Sequence, residues 1–147
     1  MHHTLKFYSR YRGKALRLYI FLGKWTKIPI LGHLVRKIAN LFGSNSHGAN
    51  MITLNEAYEI IDNAGSIALG PCTCRSVFKN CDAPLNAEIM LSIKGTVFLF
   101  DERKAKNYRK LSRQEAKDIM KRCHDEKLFH TIIKCSGNYY ALCNCCT

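Results

Sequence analysis

The sequence predicts an α+β fold: a small domain of two capped helices packed on a short, mostly antiparallel sheet, preceded by basic amphipathic helices. Three observations carry this expectation. Two hydroxyl-x-x-Glu boxes, at Thr53 to Glu56 and at Ser112 to Glu115, each open a stretch with helical spacing of apolar residues. Between and after them lie runs rich in β-branched and aromatic residues, bounded by Gly, Pro, Ser and Asn. Ahead of them, residues 1–50 hold nine Lys or Arg and no Asp or Glu, whereas residues 51–147 hold fourteen basic and eleven acidic side chains.

That division of charge marks two regions with different work. The small polar breakers "GSNS" and "HGAN" put the junction at residues 43–50, between a basic amphipathic segment over 1–50 and a cysteine-rich domain over 51–147. With 147 residues and 47% hydrophobic content, the chain supports one ordinary core and no second full domain.

The first region is expected to form two short helices broken near Pro29, apolar on one side and basic on the other. The uncharged run between Lys27 and Arg36 is only eight residues, against the roughly twenty that a spanning helix needs, so this region does not cross a bilayer. It suits the headgroup layer of an anionic membrane surface, where apolar burial and electrostatic attraction act together. Lys14, Arg17, Lys24, Trp25, Lys27, Arg36 and Lys37 are the candidate contacts. Each well-placed cation adds roughly 1 kcal/mol there. Packing on the rest of the protein or on a second subunit, a nucleic-acid arm and an organellar transit peptide are the competing readings. The high apolar fraction counts against a phosphate-tracking arm.

In the second region, "ITLNEAYEII" and "KLSRQEAKDIM" align so that Thr53 matches Ser112 and Glu56 matches Glu115. In such a box the hydroxyl accepts from a first-turn N–H while the Glu reaches back to the N-cap N–H, which starts a helix. "GSIALGPCTC" reads as a short strand running into a cysteine pair. "IMLSIKGTVFLF" is apolar throughout and reads as a buried strand, and "DERKAKNYRK" as a solvated connector. "FHTIIKCSGNYYALCNCC" reads as a hairpin turning at Ser136, Gly137 and Asn138.

Eight cysteines without a secretory signal pattern favour metal or redox chemistry over a disulfide framework. Side chains two apart on a strand project to one face, so Cys72 with Cys74, and Cys143 with Cys145, would each aim two sulfurs one way. If the two stretches are neighbours, the sulfurs converge on a small volume, as an iron–sulfur cluster or tetrahedral zinc demands. Zinc sites usually draw on Cys-x₂₋₄-Cys knuckles, so zinc is the alternative rather than the first choice. The candidate ligands are Cys72, Cys74, Cys81, Cys143, Cys145 and Cys146. Either Cys72, Cys74 and Cys81 serve with one cysteine of the second stretch, or two serve from each stretch. Arg75 and Lys79 are placed to offset thiolate charge, or else lie on a solvated loop. Cys123 and Cys135 read as packing residues, and His124 and His130 as core or edge histidines satisfied by backbone groups.

The motifs "SIALGPCTCR", "NCDAPLN", "LSRQEA", "LFH" and "LCNCC" together resemble, in that order, the cysteine-bearing module that precedes the dicluster ferredoxin domain in 4Fe–4S proteins of anaerobic bacteria and archaea. The resemblance covers about residues 52–146 and implies iron–sulfur binding, with a 4Fe–4S cluster, and electron transfer. Glu88 stands where the family commonly carries a cysteine, and reads as an oxygen ligand or, more simply, a surface carboxylate. The ferredoxin repeats do not follow, so this reads as a stand-alone version. No ferredoxin Cys-x₂-Cys-x₂-Cys-x₃-Cys-Pro run is present. Neither is a phosphate loop, a His-Glu-x-x-His helix or any other catalytic constellation. The expected function is therefore iron–sulfur electron transfer or redox sensing with a redox partner protein, at the cytoplasmic, inner face of the cell membrane. The main alternative is a zinc-stabilised module that binds nucleic acid or protein, and a third reading is a thiol-based redox or sulfur-transfer enzyme using the adjacent Cys145 and Cys146.

Overall fold

The computed structural model describes residues 2–79, 81–92, 107–135 and 138–146. The chain begins with two helices, α1 (His2–Trp25) and α2 (Leu31–Ser46), then strand β1 (His47–Met51) and helix α3 (Leu54–Asn63). Strand β2 (Ser66–Pro71), helix α4 (Thr73–Phe78), strand β3 (Asn86–Ser92) and strand β4 (Arg109–Leu111) follow. Helix α5 (Arg113–Asp125) and the hairpin of β5 (Phe129–Cys135) and β6 (Asn138–Cys145) complete the fold. The strands form one sheet in the order β1-β5-β6-β3-β2-β4. Every neighbouring pair in it is antiparallel, so the chain is the α+β domain that the sequence predicts.

The two capping boxes start α3 and α5. Thr53 Oγ1 accepts from the Glu56 N–H at 3.3 Å while the Glu56 carboxylate accepts from the Thr53 N–H at 2.7 Å. Ser112 and Glu115 repeat this at 3.2 and 2.8 Å. These bonds satisfy N–H groups that the first turn otherwise leaves orphaned. Spacing then turns Ala57 and Ile61 of α3, and Ala116, Ile119, Met120 and Cys123 of α5, onto Ile67, Ile89, Leu91, Ile132 and Leu142 of the sheet. The two helices are joined at their rims by Lys117 to Asp62, 2.7 Å, and by Arg113, which donates to the Ala64 carbonyl at 3.0 Å.

The opposite face of the sheet buries Ala68, Met90 and Ala141 with Tyr108, Ile133 and Tyr140 packed around them. Gly70 is required there, because a Cβ would fall 2.0 Å from the Tyr108 ring. Across this face Gly70, Glu88, Cys143 and Thr131 lie in register on four adjoining strands. Alternation along each strand therefore puts Leu142 and Asn144 on the helix side, and Cys143 and Cys145 on the other.

Several expectations are corrected here. The junction residues 43–50 are the end of α2 and most of β1, whose backbone pairs with β5 from His47↔Cys135 to Met51↔Thr131. The cysteine pair after β2 is not on a strand. Pro71 has no N–H to give the ladder, which shifts register between Gly70 and Pro71, and Cys72 becomes the extended N-cap of α4 with Cys74 inside its first turn. Glu88 is no surface carboxylate, at 1% exposure in β3. Of the apolar run read as one strand, Ile89–Ser92 belong to β3 and residues 93–100 lie outside the described residues. Of the charged connector, residues 101–106 also lie outside them, while Arg109 and Lys110 enter β4. The hairpin stands as read, with Cys135 paired to Asn138 and the turn residues 136 and 137 outside the described set. The break near Pro29 is present, but the helices on either side run to 24 and 16 residues and are not short.

Candidate functional site

The two cysteine stretches meet where the loop after α4 passes the end of β6. Cys81 and Cys146 lie with their sulfurs at disulfide distance, across a sequence separation of 65 and with Cα atoms 6.6 Å apart. Cys146 reaches this point because it is one residue beyond Cys145, so it turns to the helix side and packs against the main core. The loop is brought in by the Cys72 N–H, which donates to the Leu85 carbonyl at 2.7 Å.

Arg75 holds the junction together. It lies on the buried side of α4 at 5% exposure, where Nη1 donates to the Pro84 carbonyl and Nη2 donates to the Asn144 carbonyl at 2.9 Å and to Cys146 Sγ at 3.4 Å. One guanidinium thus ties α4, the cysteine loop and the end of β6 to a sulfur. Lys79, the other cation of this stretch, is exposed and closes α4 in the left-handed conformation, φ 48°.

Behind Arg75 runs a buried polar chain. Asn144 Nδ2 donates to the Ala87 carbonyl at 2.8 Å, so its Oδ1 faces His130 Nδ1 at 2.6 Å and accepts a hydrogen bond from that N–H. That fixes the neutral His130 tautomer and leaves Nε2 to accept from His124 Nδ1 at 3.3 Å, with the two rings stacked 5.5 Å apart. Burial holds the His130 pKa below its ordinary value, opposed by the Asn144 bond and aided by repulsion from His124. The histidine satisfied by backbone groups is thus instead bonded through side chains. Cys123 is buried in α5, and burial pushes its thiol up to about 11; Glu126 adds to this while Arg75 and Arg122 oppose it. It is a core thiol, as its helical position suggests.

The remaining candidate ligands lie apart from this pair. Cys74 is exposed on α4, and Cys72 is half-buried as its N-cap. Cys143 sits on the far face of the sheet opposite Glu88, and Cys145 lies beside it with Sγ 3.7 Å from Thr131 Oγ1. The side chain of Cys135 is outside the described set. Among the described residues, no group of three or more His, Cys, Asp or Glu side chains is placed to hold a metal ion. By strand alternation Cys143 and Cys145 face away from Cys146, which packs on the helix side of the sheet.

One participant, Asn144, is new relative to the sequence reading, whereas Arg75, read as offsetting thiolate charge or lying on a solvated loop, is buried in α4 against Cys146. Asn144 was legible from strand alternation: a polar residue between Cys143 and Cys145 must face the opposite side, the core, and needs partners there.

The membrane-surface candidates are all on α1, α2 or the corner between them. Lys14 and Arg17 line, with Tyr11, Gly13 and Val77, a cavity of about 250 Å³ where α1 rests on α4. Lys24, Trp25, Lys27 and Lys37 are exposed, and Trp25 packs against Phe21 with ring centroids 5.8 Å apart. Arg36 is exposed as well and donates to the Thr26 carbonyl at 3.1 Å. Among the described residues, no helix is long and apolar enough to cross a membrane. Comparison of the chain with protein-family models, with curated proteins and with solved structures finds no match.

Proposed function

We propose that the chain is a cysteine-based redox protein, an electron carrier or redox sensor, that works peripherally at the inner, cytoplasmic face of an anionic membrane. The observation that carries this reading is the meeting of Cys81 and Cys146 under the Arg75 guanidinium. In a reducing compartment a cysteine pair of this kind is characteristically transient, made and broken as part of its work. With the bond open, Arg75 faces the Cys146 sulfur, and a cation beside a thiol favours the nucleophilic thiolate. Cys146 then attacks a disulfide of the partner, forming a mixed disulfide and releasing one partner thiolate. Cys81 attacks the Cys146 sulfur, closes the intramolecular bond and releases the second. Two electrons pass to the partner disulfide, and the two protons of the starting thiols pass to solvent or to the released thiolates. The reverse sequence reloads the pair.

The mixed disulfide is the species to trap. In a Cys81→Ser variant treated with oxidised glutathione, glutathione is expected to accumulate on Cys146, read by peptide mass spectrometry, and to do so faster than on Cys143 or Cys145. In Cys146→Ser, Cys81 should react more slowly, since the Arg75 guanidinium bonds to the Cys146 sulfur and lies farther from that of Cys81. Equal reactivity of Cys146 and Cys145 would count against the reading.

The iron–sulfur reading is kept second, on the resemblance and on the four cysteines, Cys72, Cys74, Cys81 and Cys146, that flank α4 and its Arg75. It requires Cys72 and Cys74 to leave their helical seats. Protein purified without oxygen should then carry iron and acid-labile sulfide; protein with neither, and with Cys81 and Cys146 cycling between thiols and disulfide, is the outcome that we expect.

A further inference from the structure

We infer that the corner between α1 and α2 is a monolayer-inserting tip for an anionic phospholipid bilayer, with Ile28, Pro29 and Ile30 at its point and Trp25 at the headgroup boundary. This rests on the peripheral attachment proposed above and names the part of the chain that makes it.

The corner is a built turn. The Thr26 hydroxyl donates to the Gly23 carbonyl at 2.7 Å, and the Thr26 carbonyl accepts from Arg36. The Gly32 N–H donates to the Ile28 carbonyl at 2.8 Å. α2 begins so close to this turn that a Cβ at Gly32 would lie 2.3 Å from the Thr26 carbonyl oxygen. What this turn presents is apolar. Ile30 is held at φ 66°, a region that β-branched residues avoid, and its side chain is 92% exposed. A protein gains nothing in water from a strained isoleucine pushed outward.

The flanking helices continue the same surface. Leu18, Ile20, Phe21, Leu22 and Trp25 are all exposed, so the C-terminal turns of α1 present apolar side chains on more than one side. On α2, Leu31, Leu34, Ile38 and Leu41 form one exposed stripe at helical spacing. A contiguous apolar patch of this extent, rimmed by cations, marks an interaction surface.

Charge selects the occupant. The segment 1–50 carries nine cations and no carboxylate, and among the described residues no acid pairs with Lys24, Lys27 or Lys37. A second copy of this chain would bring the same cations against them, and nucleic acid offers nothing for the apolar stripe. An anionic lipid surface complements both, taking the apolar tip at acyl depth and the lysines at the phosphates.

Trp25 is the single tryptophan of the chain, so its fluorescence reports the tip without labelling. Mixed with phosphatidylcholine vesicles containing phosphatidylglycerol, the full chain should show a blue-shifted Trp25 emission that is quenched by lipids brominated near the headgroup, and it should float with the vesicles. With phosphatidylcholine alone, binding should fall at least about tenfold, since the lysines lose their counter-charge. Ile30→Glu and Leu34→Glu alter side chains that touch solvent, leave Trp25 in place, and should each weaken flotation by about tenfold or more. Flotation with unshifted Trp25, or unchanged in both variants, would overturn the tip while sparing peripheral attachment. No flotation at any lipid composition would overturn both, as would a dimer in solution that Leu34→Glu dissociates.

Discussion

Arg75 is a full charge at 5% exposure that donates to two carbonyls and to the Cys146 sulfur. Such an arrangement is stable only while the acceptors stay in place, because a buried guanidinium without them meets a desolvation penalty of several kcal/mol. Replacing Arg75 by Gln should therefore destabilise the fold by about 2–4 kcal/mol in urea titration, since the buried Asn144 carbonyl and the part-buried Pro84 carbonyl lose their donor. In the Cys81→Ser background the same change should slow the reaction of Cys146 with glutathione, which a merely structural role for Arg75 would leave unchanged. His130 supplies the pH dependence. Its folded pKa is depressed by burial, so below about 6.5, the ordinary histidine value, the unfolded chain takes up a proton that the folded chain resists. Stability should be full above that pH, fall as the pH drops through the interval down to the folded pKa, and level off beneath it. Urea midpoints measured from pH 8 to pH 5 check this, and His130→Gln should flatten the slope.

At the scale of elements, α3 and α5 are the parts whose origin is plainest, each opened by a hydroxyl and a Glu in a reciprocal pair. Thr53→Ala and Ser112→Ala should each lower stability by about 1 kcal/mol, and the capped helices should lose amide protection in their first turns before elsewhere. Arg109 and the Ser112 backbone and hydroxyl hold the exposed Glu115 carboxyl down to about 2. A lowered acid supports the fold above its ordinary pKa, so this support should be lost only as the pH falls from about 4.5 toward about 2; an Arg109→Gln variant should lose it at higher pH. These helices were legible because a capping box is a local signal, complete within four residues. The hairpin of β5 and β6 was legible for the same reason, from alternation and a Ser-Gly-Asn turn. The seat of Cys72 and Cys74 was not, because the cysteines alternate as on a strand while Pro71 ends the ladder one residue earlier. β1 was missed for the opposite reason: "HGANM" has no strand character of its own and pairs because β5 offers an edge.

For the whole molecule, the sheet order brings the two halves of the second region together, since β6 lies next to β3 and so beside the loop that carries Cys81. Sequence spacing pointed to sulfurs aimed in parallel from two strands; among the described residues the structure joins one from each stretch, Cys81 and Cys146, the latter in the residue just after β6 ends. Burial of Glu88 was not legible either, because it follows from the far face of the sheet being covered. The N-terminal helices rest on this body through α4, the helix that carries Arg75, so the apolar tip and the cysteine junction belong to one assembly. The most direct test is a redox titration of the native chain with differential alkylation and mass spectrometry, in buffers of increasing oxidising strength. Cys81 and Cys146 should become protected together, in a single two-electron step, while Cys74 stays open to alkylation throughout. Protection of either one without the other, or of neither under any buffer, would contradict the redox pair.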